Sequence, residues 1–172
     1  MSDTVARAKP DEELFSIARR VGERLRARKE TVAVAESCTG GLLGAALTDV
    51  PGSSAYFLGG VIAYDNRVKL DQLGVPSAVL ETEGAVSAAA AIALATGVRS
   101  LLQADIGLSI TGVAGPAEEE HKRAGLTYVG ITAPAPAATR YQWDGDRWQN
   151  RRYSVLAALG VLDQTLAAMS KP

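Results

Sequence analysis

Residues 37–41 of this 172-residue chain read Ser-Cys-Thr-Gly-Gly, where a short β-branched run hands over to an apolar helical pattern. A serine at such a junction lies beside the unsatisfied N–H groups that open a helix, and those donors can hold an oxyanion or a phosphate. Gly40 and Gly41 let a substrate approach the backbone. The same residues also suit a plain turn in which Ser37 or Thr39 caps the helix. The stretch lacks the lysine of a phosphate-binding P-loop, and no glycine stands two residues before Ser37 as a nucleophile elbow requires.

A serine nucleophile needs a base. The one histidine, His121, stands in the charged run Glu118–Arg123, which reads as a solvated loop. It has no Cys or His partner at metal-ligand spacing. Lysine is the alternative. In VIAYDNRVKL, residues 61–70, Tyr64 closes a strand pattern, Asp65 or Asn66 caps a helix, and Lys69 falls in its first turn. The helix macrodipole disfavours a cation there, and partial burial lowers its pKa further, so a neutral Lys69 is a workable base. A lysine snorkelling off a helix is the commoner case. Two further stretches belong with these. SITGVAGP, residues 109–116, is another strand running into a small-residue loop, which sets Thr111 and Gly112 at the same sheet edge as Ser37. In DGDRWQNRRY, residues 144–153, Arg147, Arg151 and Arg152 cluster where a helix begins, poorly placed against its dipole but suited to an anionic ligand. A solvated charged turn accounts for them about equally well.

The elements that must position these groups follow from periodicity. A helical stripe at Leu14, Ile17, Ala18, Val21 and Leu25 marks a helix over 11–29, opened by Asp11. Strand patterns fall at 31–36, 57–64, 105–111, 126–132 and 139–143. Helical patterns fall at 39–48, 65–73, 84–102 and 146–169, the third of these read as the longest. Gly59-Gly60 inside the second strand signals a bulge or a close backbone approach. Strands alternating with helices predict a single-domain three-layer α/β/α sandwich on a mixed, mostly parallel sheet, with the two adjacent late strands supplying an antiparallel part. The domain spans 11–169, leaving flexible termini at 1–10 and 170–172.

Composition narrows the function classes. The chain is 47% hydrophobic and 22% charged with a net charge of −1, so no positive face advertises nucleic-acid binding. One cysteine excludes an internal disulfide and fits a reducing compartment. The first ten residues lack the apolar core of a secretory signal. Polar residues interrupt the most apolar segment, 84–102, so it reads as an amphipathic helix rather than a membrane span. A cytoplasmic protein without membrane or nucleic-acid partners is the expectation.

Taken in order, AESCTGG (35–41), YDNRVK (64–69), SITGVAGP (109–116) and DGDR (144–147) resemble the C-terminal domain family of CinA, the competence/damage-inducible protein. The resemblance runs from about residue 14 to residue 166. That family has nicotinamide-nucleotide amidohydrolase (deamidase) activity. The resemblance therefore implies hydrolysis of nicotinamide mononucleotide to nicotinic acid mononucleotide and ammonia, which recycles pyridine nucleotides. It implies Ser37 as nucleophile, Lys69 as its base and Tyr64 in support. Thr39, Gly40, Gly41, Asn66, Thr111, Gly112, Arg147 and Arg151 are the implied substrate contacts, with backbone N–H groups around Gly40 and Gly41 holding the oxyanion. Cys38 is expected to pack rather than react. No cofactor or metal is implied. A homodimer or higher homo-oligomer is, with the alanine-rich helix over 85–102 as a possible apolar interface. The chain departs from the family after Pro116, where an acidic residue and paired glycines give way to Ala117-Glu118-Glu119-Glu120-His121. That departure favours one alternative, a catalytically weak nucleotide-binding paralogue; a second, a serine amidase acting on another small amide, would use the same Ser–Lys pair.

Overall fold

In the computed structural model, which describes residues 10–169, Asp11 caps helix α1 (Glu12–Arg28) by accepting from the N–H groups of Glu13 and Leu14. The expectation of flexible termini lies, Pro10 apart, outside the described residues. From α1 the chain enters strand β1 (Val32–Glu36), helix α2 (Leu42–Thr48), a 3-10 turn at Ser53–Ala55 and strand β2 (Phe57–Ile62). Helices α3 (Asn66–Leu73), α4 (Ser77–Thr82) and α5 (Ala88–Leu102) follow. Strands β3 (Ile106–Gly112), β4 (Leu126–Ile131) and β5 (Ala137–Gln142) lead into the closing helix α6 (Arg147–Ala168).

The sheet order is β2-β1-β3-β4-β5. β1 pairs in parallel with β2 and β3, whereas β3–β4 and β4–β5 are antiparallel, so only β4 runs against the other four strands. This is the mixed, mostly parallel sheet that the alternation predicts. β1 and β3 are buried along their whole length, as central strands covered on both faces must be. Period-2 alternation divides their side chains between two cores. Val32, Val34, Ile106, Leu108 and Ile110 meet α1, α2 and α6 on one face. Ala33 and Ala35 meet α3 and α5 on the other.

The second face packs unusually close. Gly107 and Gly130 lie under the carbonyls of Ala95 and Ala91 in α5, and a methyl group at either glycine would collide with that backbone. Ser109 Oγ donates to Ala91 O at 2.6 Å and locks the helix in place. Much of the apolar run over 85–102 is thus buried in the chain's own core (Ala90, Ala91, Leu94, Ala95, Val98). In β2, Leu58 is an extra residue between the pairs Val32–Phe57 and Ala33–Gly59, and Gly60 sits against the Val34 carbonyl. The glycine pair accordingly marks both a bulge and a close approach.

Several boundaries differ from the sequence reading. α2 starts at Leu42 rather than Thr39, because residues 37–41 form a turn held by the Glu36 side chain. α5 starts at Ala88 rather than Gly84, since Ser87 caps it by accepting from Ala90 N–H. The longest helix is α6, with 22 residues against 15 in α5. β5 begins two residues earlier than the pattern indicates, and β2 ends two residues sooner. α4 is absent from the reading, since its six residues after Pro76 are too few to show a helical period.

Candidate active site

β1 and β3 end side by side, with Glu36 paired to Ile110 and Ser37 N–H donating to Ile110 O at 3.0 Å. Beyond this edge opens a cleft of about 580 Å³. Its walls come from the turn after β1, the start of α3, the 85–86 segment, the loop after β3 and the first residue of α6. Ser37, Tyr64, Asn66, Lys69, Thr111, Gly112 and Arg147 all line it, so seven residues scattered over 110 positions converge at one sheet edge, where ligands gather in α/β folds.

Lys69 is 2% exposed. Asp65 caps α3 by accepting from Arg67 N–H at 2.8 Å, and this fixes the turn from which Lys69 reaches inward. Its Nζ donates to the carbonyl of Tyr64 at 2.9 Å. Burial pushes its pKa below the ordinary lysine value, while the carboxylates of Glu119, Glu120 and Asp65 pull it back up. Ser37 Oγ has no hydrogen-bond partner among the described residues. No hydrogen bond joins Ser37 and Lys69 in this structure, where Lys69 Nζ is held by Tyr64 O.

Arg147 bridges two walls, donating from Nη1 to Gly115 O at 2.7 Å and from Nη2 to the Tyr64 hydroxyl at 3.3 Å. Two of its five N–H donors are thereby engaged, and the rest remain for an anion. Tyr64 is 61% exposed, so its ring stands at the cleft mouth. Thr111 is buried and donates to Ala85 O at 2.7 Å. The loop after Pro116 closes over the same region. Glu120 accepts from Ala85 N–H at 3.0 Å, Val86 N–H at 3.3 Å and Lys122 Nζ at 3.0 Å. Glu120 and His121 hold the left-handed backbone (φ 51° and 58°) that glycine adopts freely, and these contacts hold the turn there. His121 is exposed and away from the cleft lining.

Thr39, Gly40, Gly41 and Arg151 are not brought to the cleft lining. Thr39 is fully buried and its hydroxyl donates to Glu36 Oε2 at 2.6 Å. Gly41 N–H donates to the same oxygen at 3.1 Å, and Gly40 N–H donates to Ser37 O at 3.1 Å. The expected oxyanion donors around Gly40 and Gly41 are thus already engaged. Arg151 lies behind the turn, donating from Nη2 to Thr39 O at 2.9 Å, with its guanidinium over the Trp148 ring at 5.2 Å. It supports the turn instead of facing a substrate. Cys38 belongs to the core and also lines the cleft, and burial pushes its thiol up to about 12, which disfavours the reactive thiolate.

Two residues escape the sequence reading. Glu36, 1% exposed, accepts four hydrogen bonds within the turn and α2. A signal existed: the β1 alternation puts Glu36 on the face that Val32 and Val34 turn toward α1, α2 and α6. Asn150 donates to Ala114 O at 3.0 Å and accepts from Gly145 N–H at 3.0 Å, tying α6 to the loop after β3. Nothing local in the sequence marks it. Among the described residues, no group of three or more His, Cys, Asp or Glu is placed to hold a metal ion, and no helix is long and apolar enough to cross a membrane.

Comparison with known proteins gives one consistent result. Residues 14–166 match the CinA C-terminal domain family. A CinA-like protein of Synechocystis is 52% identical over 150 residues, covering 86% of this chain and 36% of that protein. Another from Cyanothece is 57% identical over 121 residues, covering 70% of this chain and 29% of its own length. The chain spans about a third of the length of these curated relatives. Among solved structures, a competence-damaged protein (CinA) superfamily member from Klebsiella pneumoniae superimposes with a TM-score of 0.88 at 31% identity, covering 91% of this chain and 99% of that one. A competence/damage-inducible protein from Agrobacterium tumefaciens gives 0.85 at 33% identity, covering 92% and 98%.

Proposed function

The chain belongs to the CinA C-terminal domain family, and from that premise we propose that it is an amidohydrolase that converts nicotinamide mononucleotide to nicotinic acid mononucleotide and ammonia by serine–lysine catalysis. The observation that carries this reading is the meeting of Ser37 with a buried, pKa-depressed Lys69 in a cleft whose mouth is held by Arg147. Ser37 Oγ attacks the carboxamide carbon as its proton passes to Lys69 Nζ, and the carbonyl electron pair moves onto oxygen. Lys69 returns the proton to the departing nitrogen, the C–N bond breaks, and ammonia leaves a Ser37 ester. Water deprotonated by Lys69 then adds to the ester, and collapse returns a proton to Ser37 Oγ and frees the acid.

Because Glu36 occupies the N–H groups of Gly41, Leu43 and Gly44, we assign the oxyanion to the N–H group of Cys38, which lines the cleft beside Ser37. It donates to no other residue's backbone among the described residues. Arg147 is assigned to the phosphate, where charge-assisted pairing is strongest. Tyr64 supports both ends: its carbonyl holds Lys69, and its hydroxyl holds Arg147.

A second reading, a nucleotide-binding domain with little turnover, is favoured by one observation: Glu118, Glu119 and Glu120 line the cleft in place of glycines. A third is a serine amidase acting on another small amide. Ammonia release from nicotinamide mononucleotide, nicotinamide riboside and a panel of small amides separates the three. Release from the mononucleotide that vanishes in Ser37→Ala supports the deamidase. Binding without release supports the second reading, and preference for another amide supports the third.

A further inference from the structure

Glu36 is a buried carboxylate with no cationic side chain paired to it among the described residues, and such burial is costly unless hydrogen bonds compensate it. Here they do. Oε2 accepts from Thr39 Oγ1 at 2.6 Å, Gly41 N at 3.1 Å and Leu43 N at 3.0 Å, while Oε1 accepts from Gly44 N at 2.8 Å. A single uncharged cap would close a seven-residue helix such as α2 at far smaller desolvation cost. The four bonds reach across the whole turn that follows Ser37, and from the opposite side Arg151 Nη2 holds Thr39 O at 2.9 Å. The turn is clamped between an anion inside and a cation outside, with Ser37 at its first position.

We propose that Glu36 is a positioning residue for Ser37: its carboxylate fixes the 37–41 turn so that Ser37 Oγ projects into the cleft, and its occupation of the α2 donors leaves the Cys38 N–H group as the one available beside the nucleophile. This rests on the reading of Ser37 as the nucleophile. Glutamine fits the same space but fails the pattern. One of its two terminal positions is an NH₂ group, which must face either three donors or one.

The test measures modification of Ser37 by a small fluorophosphonate, located by peptide mass and followed by rate, in the full chain. Wild type is expected to react at Ser37. Glu36→Gln is expected to react roughly 10- to 100-fold more slowly, the scale on which a displacement of about an ångström acts, with its far-UV spectrum unchanged. With the nucleotide, kcat should fall by the same factor while KM holds; a loss of folded protein would instead lower the labelled fraction and leave the rate constant of labelling unchanged. Should Glu36→Gln fail to fold, the Thr39 pair decides: Thr39→Val removes one donor and should slow labelling, while Thr39→Ser keeps the hydroxyl and should restore it. Equal labelling rates in wild type and Glu36→Gln, or in both Thr39 variants, overturn the proposal. A wild type that never labels at Ser37 overturns the nucleophile reading itself, and the positioning proposal with it.

Discussion

Lys69 carries the pH consequence of the proposed mechanism. Burial lowers its pKa, and if the neutral amine is the base, as proposed, kcat/KM should rise with pH and level off below the ordinary lysine value of about 10.5. Glu119 opposes the burial effect by stabilising the charged amine. Glu119→Gln should therefore move the rising limb to lower pH, and a shift toward higher pH would contradict that assignment. If Ser37 and Lys69 act as one unit, Ser37→Ala, Lys69→Ala and the double variant should lose similar activity, because catalytic partners are non-additive. A double loss equal to the product of the single losses would mean independent roles. The sequence made Ser37 and Lys69 legible through their junctions, a strand end and a helix start. It misled at Thr39, Gly41 and Arg151, whose polar groups look available in the chain but are already bonded in the fold.

Element positions were readable wherever a period was long enough to register, as in α1, α6 and the central strands. α4 and the first residues of the 84–102 segment were not, because six-residue helices and side-chain caps leave no periodic trace. The fit of α5 on the sheet is a tertiary fact of the same kind: no local pattern shows that Gly107 lies beneath the Ala95 carbonyl. Gly107→Ala should destabilise the fold by about 1–3 kcal/mol, the usual cost of overpacking, seen as a lower midpoint in urea. An unchanged midpoint would mean that α5 can lift from the sheet without cost. At the other face, Asp11 caps α1 and pairs with Arg152 at 2.6 Å, which holds its carboxyl down to about 2. A depressed folded pKa contributes stability that is present above the ordinary value of about 3.8 and lost as pH falls through about 2. Asp11→Ala should accordingly cost on the order of 1 kcal/mol near neutrality, and its deficit relative to wild type should shrink toward pH 2.

Across the whole molecule, the parallel edge of β1 and β3 gathers Ser37 and Lys69 at one cleft, while α6 returns from the far end of the chain to supply Arg147. Fold class and the order of motifs were visible in the sequence because each motif sits at an element boundary. The shape of the cleft was not, since the 117–125 loop closes through Glu120 contacts to Ala85 and Val86, 34–35 residues away. If Arg147 binds phosphate, Arg147→Ala should raise KM for nicotinamide mononucleotide about 10- to 100-fold, the worth of one or more hydrogen bonds to a charged group, and leave KM for the riboside nearly unchanged. Equal changes on both substrates would make Arg147 a strut between Gly115 and Tyr64. All of this depends on a covalent step at Ser37. Rapid acid quench of enzyme turning over nicotinamide mononucleotide, followed by peptide mass analysis, reads that step directly. The account predicts a peptide containing Ser37 that is heavier by the nucleotide less ammonia, with no such peptide in Ser37→Ala. Full turnover with an unmodified Ser37 peptide at every quench time, or turnover that survives in Ser37→Ala, would contradict it.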